Sequence, residues 1–176
     1  LQMFDICPLH YKAKVIFNIP TDPNRNQTFG ISLHKVLYNF YKQALDGKKP
    51  LLNLLLDILK EEWLSEGYAN KKDEQERFAQ AIKILQEFYK KEYRPSMKTL
   101  GLELPFSFVL KNGVKVFGKI DRVDTKGSGI EIIDYKTGED NPKASANHEL
   151  QLKMYALAAT QIKDNIFNRT PKDITL

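Results

Sequence analysis

The sequence predicts an α/β fold in which a central mixed β-sheet of four or five strands is flanked by helices, with a helical insertion before the first strand. Two patterns carry this prediction. Apolar residues recur at helical spacing through residues 30–93, whereas residues 102–135 hold alternating or β-branched apolar runs separated by turn residues. The length agrees, because 176 residues of which 42% are apolar can form one domain with an ample core.

Three helices are predicted in the first half of the chain. Residues 19–28 contain two prolines and two asparagines and predict a loop. The first helix then runs from Gly30 to Gly47, and this second glycine closes it. Two amphipathic helices follow over residues 50–67 and 74–93, and their apolar faces indicate core packing.

The strands are predicted from turn residues and from the period of the apolar side chains. Residues 102–110 form the first strand, and Asn112-Gly113 is a hairpin turn that joins it to a second strand over residues 114–123. Two glycines and a serine in residues 125–129 mark another turn, after which residues 130–135 resume the apolar run.

A last helix and a further strand complete the predicted fold. Residues 139–146 predict a polar loop, and Ser145 or Asn147 can cap the helix that follows. Residues 171–176 are predicted to begin another strand. The sheet therefore lies in the second half of the chain.

Ionisable side chains interrupt the apolar runs of the predicted central strands. Because side chains alternate along a strand, Asp134 and Lys136 share one face, Tyr135 takes the other, and Asp121 comes near from the neighbouring strand. Two carboxylates about 4 Å apart repel by roughly 4 kcal/mol at an effective dielectric of 20, so they need a shared proton or a cation. Oxygen ligands favour Mg²⁺ or Mn²⁺. A surface ion pair between Asp134 and Lys136 explains the spacing equally well.

Charge and composition limit the classes of function. Twenty-seven basic and 22 acidic residues give a net charge of +5, which suits a polyanionic partner without proving one. No apolar run reaches the roughly 20 residues needed to cross a bilayer, and the longest, over residues 51–59, is interrupted by Asn53 and Asp57. The single cysteine excludes an internal disulfide and fits a reducing cytoplasm. Because residue 1 is not Met, we expect a fragment of a longer chain.

Three motifs stand in order on strand, strand and helix. They are Gly118-Lys-Ile-Asp-Arg-Val-Asp124, Asp134-Tyr-Lys-Thr-Gly138 and Gln151-Leu-Lys-Met-Tyr-Ala156. In this order they resemble the PD-(D/E)XK nuclease superfamily, specifically the RecB-like exonuclease domain found in UvrD-type helicase-nucleases. The resemblance covers nearly the whole chain. It implies a restriction-endonuclease-like core and one RecB-like domain over residues 1–176, with a helical part at 27–96 and a catalytic sheet and helix at 100–176.

The resemblance also implies roles for particular residues. Its metal ligands would be His34, Asp121, Asp134 and the main-chain carbonyl of Tyr135, holding Mg²⁺ or Mn²⁺. A lone histidine on an amphipathic helix is otherwise more often an interfacial residue. Lys136 would orient the attacking water or stabilise the transition state. Gln151 would orient this lysine or a phosphate, and Tyr155 would contact the nucleic-acid strand.

Further residues are expected around this site. Glu103 would assist metal or water binding, although pairing with a lysine at a strand end is an equally good account. Phosphate contacts are expected from the basic residues Lys115, Lys119, Arg122 and Lys126. Cys7 resembles the first cysteine of an iron–sulfur cluster in some relatives. The other three cysteines are missing, so we interpret it as a packed apolar residue.

The function implied is a Mg²⁺- or Mn²⁺-dependent deoxyribonuclease, and more narrowly an exonuclease acting in DNA repair, recombination or processing. Its expected substrate is DNA that is single-stranded or has a free end, its expected partner a helicase domain or subunit, and its expected state a monomer without membrane contact. Two alternatives stay open. One is an inactive DNA-binding or scaffolding domain of a helicase–nuclease complex, and the other is a generic helical interaction module.

Overall fold

The computed structural model describes residues 4, 7–19, 22–137 and 142–176, with the side chains of 142–145 excepted. A short helix α1 (Pro8–Tyr11) continues into a π-helical turn (Lys12–Ile16). The remaining elements, in chain order, are α2 (Arg25–Leu45), α3 (Leu52–Glu62), α4 (Lys71–Lys91), β1 (Thr99–Val109), β2 (Lys115–Lys126), β3 (Gly129–Ile133), α5 (Pro142–Gln161), a 3₁₀ turn (Pro171–Asp173) and β4 (Ile174–Thr175).

The four strands form one mixed sheet in the order β1-β2-β3-β4. The first two pairs of neighbours are antiparallel, and β4 returns to lie parallel to β3, with Ile174 opposite Ile130. A Cβ atom on Gly129 would lie 2.1 Å from the carbonyl oxygen of Asp173, so the glycine permits the close approach of the chain leading into β4. The sheet and its flanking helices confirm the α/β fold, with the helical insertion before the first strand.

Helix α2 begins earlier than predicted. The side chain of Asn24 accepts hydrogen bonds from the backbone N–H groups of Asn26 and Gln27, and the Gln27 side chain accepts one from the N–H of Asn24. This capping box starts the helix at Arg25, so the predicted loop over residues 19–28 is wrong at its C-terminal end.

Two other boundaries also differ from the predictions. Helix α5 starts at Pro142, so Ser145 and Asn147 lie inside the helix and do not cap it. Residues 138–141, which include the last glycine of the second motif, lie outside the described residues. Strand β3 ends at Ile133, so Asp134, Tyr135 and Lys136 leave the sheet immediately after its last hydrogen-bonded residue.

The interior consists of two apolar clusters. The first lies among α2, α3 and α4 around Phe40, Leu55 and Leu85, and the second lies between the sheet and α5 around Ile120 and Ile132. Each of these side chains is fully buried, which stabilises the fold by about 1.5–3 kcal/mol apiece. The sheet is therefore covered by helices on both faces near its centre.

Two sequence expectations concern features outside the sheet. Half-buried Cys7 accepts a hydrogen bond from the backbone N–H of His10 through its sulfur at 3.4 Å, at the start of α1. In the residues that the structure describes, no helix is both long and apolar enough to cross a membrane.

Candidate metal centre

Three side chains from three different elements lie close together where α2 meets strands β1 and β2. His34 of α2, Glu103 of β1 and Asp121 of β2 each offer one ligand atom, and these atoms all lie within 4.8 Å of one another. Glu103 stands opposite Asp121, because the neighbouring register pairs are Leu102 with Arg122 and Leu104 with Ile120. The fold therefore joins a residue from the helical part to two residues of the sheet.

The imidazole of His34 is oriented by the backbone of Tyr135. Its Nε2 lies 2.9 Å from the carbonyl oxygen of Tyr135, which can only accept, so Nε2 carries the hydrogen. Nδ1 then faces Asp121, whose Oδ2 is 3.5 Å away. A proton or a cation between these two atoms would stabilise their close approach.

Asp121 is held by a backbone donor and has little compensating charge. The N–H of Tyr135 donates to its Oδ2 at 2.8 Å. Burial raises the pKa of Asp121, and the Tyr135 N–H and His34 oppose this rise in part. In the parts of the chain that the structure describes, no lysine or arginine lies within ion-pair distance of this carboxylate. A bound cation would supply the missing charge.

Glu103 has an unusual backbone conformation. Its φ of 50° lies in the left-handed region, which costs a residue with a Cβ atom about 1–2 kcal/mol. The side chain forms an ion pair with Lys119, and this hydrogen bond is the main cause of the raised pKa of Lys119. Strained residues of this kind cluster at functional sites. Glu103 therefore pairs with a lysine, as one of the two accounts left open by the sequence expects, and its assistance to metal or water binding stays a prediction that its position beside His34 and Asp121 favours.

A second network lies beside the three-residue cluster. Lys136 Nζ is 2.5 Å from Asp134 Oδ2 and donates to Gln151 Oε1 at 2.9 Å. The Gln151 amide nitrogen is 3.2 Å from Asp134 Oδ1, and the Tyr155 hydroxyl donates to the same oxygen at 3.2 Å. Gln151 and Tyr155 are one turn apart on α5, so a single helix face holds both the aspartate and its lysine.

Asp134 belongs to this second network and is not part of the group formed by His34, Glu103 and Asp121. Tyr135 connects the two, because its N–H binds Asp121 and its carbonyl oxygen binds His34. The structure thus places His34 and Asp121 together, and it places Asp134 in an adjoining network, with the backbone of Tyr135 between the two.

Tyr155 is placed differently from the expectation. Its side chain is only 4% exposed, and its ring packs edge-on against Phe106 with centroids 5.6 Å apart. Burial, reinforced by the charge of Asp134, raises the pKa of Tyr155, so the hydroxyl remains a donor at neutral pH. The expected contact between Tyr155 and a nucleic-acid strand is wrong, because the side chain is inside the protein.

Arg122 is also placed differently. Its side chain is buried, its guanidinium lies over the Tyr41 ring at 4.0 Å, its Nε is 3.2 Å from Asp124, and it donates to the Tyr135 hydroxyl at 2.6 Å. We therefore withdraw Arg122 from the phosphate contacts. It supports the site indirectly, since the tyrosine that it binds positions both His34 and Asp121. Sequence reasoning missed this role because it read the arginine as exposed.

Lys119 and Lys126 lie at different distances from the cluster of His34, Glu103 and Asp121. Lys119 lies next to Glu103 and lines the same cavity as His34. Lys126 pairs with Glu131 at 2.5 Å beside the second turn, five residues from Asp121 along β2, or about 17 Å at the usual strand rise. Only Lys119 of these two is close to His34, Glu103 and Asp121.

Gly30 allows α2 to lie close to the segment after β3. A Cβ atom at this position would be 3.2 Å from the Thr137 hydroxyl oxygen, so a larger side chain would push the helix away from residues 134–137. His34, one turn further along, reaches the Tyr135 carbonyl because this approach is close.

Comparison with known proteins decides the family. The family model described as "PD-(D/E)XK nuclease superfamily" matches residues 1–171. The chain belongs to the PD-(D/E)XK nuclease superfamily. It is also 24% identical to the Gene 69 protein of Mycobacterium phage L5 over 208 aligned positions, which cover 93% of this chain and 70% of the phage protein.

PD-(D/E)XK nucleases use divalent metal ions, and the residues present here fit such an ion. One imidazole nitrogen and two carboxylates are ligands for a divalent metal ion, and a cation between His34 and Asp121 would stabilise their close approach. The side chains present at this position are therefore consistent with membership of a superfamily of metal-dependent nucleases.

Proposed function

We propose that this PD-(D/E)XK nuclease is a RecB-like deoxyribonuclease that depends on Mg²⁺ or Mn²⁺ and acts as an exonuclease in DNA repair, recombination or processing. The convergence of His34, Glu103 and Asp121 beside the Asp134–Lys136 pair is the observation that carries this proposal. The substrate with a free or single-stranded end and the helicase partner rest on the motif resemblance.

His34, Glu103 and Asp121 would hold the ion in this proposal, and the resemblance to the superfamily motif adds Asp134 and the Tyr135 carbonyl beside them. Burial is the main cause of the raised pKa of Asp121, and the negative charge of Asp134 raises this pKa further. The two carboxylates are therefore close to each other. When bound, a divalent ion supplies a water of lowered pKa and a positive centre for the phosphoryl oxygens.

Lys136 would provide the second positive charge. Its ammonium group is held by Asp134 and Gln151, so it is already oriented before substrate binds. In phosphodiester hydrolysis such a group orients the attacking water or stabilises the charge that develops on the phosphoryl oxygens. Gln151 and Tyr155 act as positioning residues, because both fix the carboxylate that holds the lysine.

The test compares variants at Asp121 and Lys136 with one at Lys153. Lys153 is exposed on α5 and pairs with Glu149, so Lys153→Ala is a matched control for the loss of a lysine. Labelled single-stranded and duplex DNA are incubated with Mn²⁺. We expect Asp121→Asn and Lys136→Ala to lower kcat at least about 100-fold, while Lys136→Ala keeps its fold and its DNA affinity.

Two outcomes would contradict the proposal in different ways. Turnover near the wild-type rate in Lys136→Ala would remove this lysine from the chemistry. DNA binding without any cleavage by the wild-type protein would favour the inactive scaffolding alternative.

A further inference from the structure

The outer face of the β1–β2 hairpin exposes an aromatic residue between two lysines. Phe117 is 76% exposed, the highest value among the large apolar side chains that the structure describes. Along β2, Lys115, Phe117, Lys119 and Asp121 alternate with buried or half-buried residues, so all four point to the same side of the strand. A line of basic and aromatic side chains therefore leads to a metal-ligating carboxylate.

Packing of the sheet does not explain the position of Phe117. The opposite face of the hairpin supplies the apolar cluster against α5, through Phe106, Phe108 and Val116. On that face a Cβ atom at Gly118 would lie 2.7 Å from the Phe106 ring, so the space is already filled. The partner of Phe117 across the ladder is Ser107, which offers little apolar cover.

Helix α2 forms the opposite wall of a cleft. A cavity of about 660 Å³ lies between this helix and the hairpin, and it is bordered by Ile31, His34, Lys35, Tyr38, Glu103 and Lys119. Tyr38 of α2 and Lys119 of β2 both border this cavity. One turn further along, Lys42 lies over the Tyr38 ring at 5.8 Å.

We propose that this cleft, continued along the exposed side of β2 from Lys119 to Phe117, binds one unpaired nucleic-acid strand and leads it to the metal centre, with Phe117 and Tyr38 as stacking platforms for bases. Lys35, Lys115 and Lys119 lie alongside for the phosphates. That the nucleic-acid strand reaches a metal centre rests on the proposed nuclease function. The cleft itself rests on the alternation of β2 and on the cavity beside α2.

Chemistry favours a single strand over other occupants. Exposed aromatic rings spaced among lysines are the usual arrangement for sequence-independent binding of single strands, since every base offers a face for stacking. In a duplex those faces are covered by neighbouring bases, and the lysines alone would contribute. Phe117 lies about 13 Å from Asp121 along β2, a distance that a short single-stranded segment can span.

The experiment measures binding to fluorescently labelled oligo(dT) and to a duplex by anisotropy, with EDTA present so that no cleavage occurs. Phe117→Ala should lower the single-strand affinity about 5- to 100-fold and duplex affinity less than about twofold. Phe117→Leu should behave like Phe117→Ala, because leucine stays apolar but cannot stack. Phe17→Ala, which removes an exposed phenylalanine of the N-terminal segment, is the matched control and should leave binding unchanged.

Unchanged single-strand affinity in Phe117→Ala, or an equal loss for duplex, would overturn the proposal. Wild-type behaviour of Phe117→Leu would also overturn it and would indicate an apolar docking surface for a protein. Because EDTA prevents cleavage, binding and cleavage are measured separately. If the protein cleaves DNA but Phe117→Ala binds oligo(dT) with the wild-type affinity, only the proposed cleft is refuted. A protein that stacks oligo(dT) on Phe117 but never cleaves would refute only the proposed function.

Discussion

Removal of the Asp124 charge should destabilise the fold more than any surface change on the same strand. Asp124 is 1% exposed and Arg122 is 3% exposed, and the two form an ion pair at 3.2 Å between the sheet and the helical core. In Asp124→Asn, the guanidinium keeps the ring of Tyr41 and the hydroxyl of Tyr135 but loses its counter-charge. Its desolvation is then compensated only in part, by two neutral groups.

The expected cost follows from this burial. Breaking one side of a fully buried ion pair costs about 3–5 kcal/mol, and the amide oxygen of the new asparagine places this variant near 3 kcal/mol. A domain of this size has about 5–15 kcal/mol in total, so the loss is large. Replacing both partners, as in Arg122→Met with Asp124→Leu, should cost less than about 1 kcal/mol because no buried charge remains.

Urea unfolding measures these differences. The single tryptophan, Trp63, stacks on Tyr68 and contacts Phe78, so its fluorescence reports on the helical core, and circular dichroism tests whether the transition is two-state. The single variants Arg122→Met and Asp124→Leu should together cost at least about 3 kcal/mol more than the double variant. A cost below about 1 kcal/mol for Asp124→Asn, or simple additivity, would show that the pair is not desolvated as described.

Two further predictions concern alkaline pH and the edge of the sheet. Burial raises the pKa of Tyr41 to about 12 and raises the pKa of Tyr155, so the folded state keeps protons that the unfolded chain releases near pH 10. The free energy of unfolding should therefore fall above pH 10 by about 1.4 kcal/mol per unit for each tyrosine, and an equal slope in the double phenylalanine variant would contradict this. Gly129→Ala should cost about 1–3 kcal/mol by thermal melting, because its Cβ meets the backbone of Asp173. Gly127→Asn, with open space around it, should cost less, and equal losses would refute the close approach.

The hairpins could be predicted because their signals are local. Asn112-Gly113 determines a tight turn whatever the rest of the chain does, and the structure joins β1 to β2 there. The start of α2 was also encoded locally, in the reciprocal caps of Asn24 and Gln27. The prolines around it favoured a loop, and this competing signal hid the helix start.

Convergence of the site residues could not be derived from spacing. His34 and Asp121 lie in different halves of the chain, and only the motif resemblance connected them before the structure placed their side chains 3.5 Å apart. The role of Glu103 stayed open for the same reason. Its left-handed backbone and its position opposite Asp121 depend on strand register, which residue types alone do not determine.

Arg122 and Phe117 show a further limit of pattern reading. Alternation along β2 predicts which residues share a face, but it does not predict what covers that face. Helices α2 and α4 cover Arg122 through Tyr41 and the Phe88–Tyr135 contact, whereas nothing among the described residues covers Phe117. Val116 and Phe117 are both apolar, so the sequence does not show which of them faces the core. In the structure Gly118 packs against Phe106 on the core side of the sheet, and Phe117 therefore points to the other side.

The left-handed backbone of Glu103 lowers the stability of the folded protein. Glycine would adopt this conformation without the penalty of about 1 kcal/mol or more that glutamate incurs, yet it would contribute no carboxylate. Glutamate at this position therefore lowers the stability of the fold and supplies a carboxylate beside His34 and Asp121.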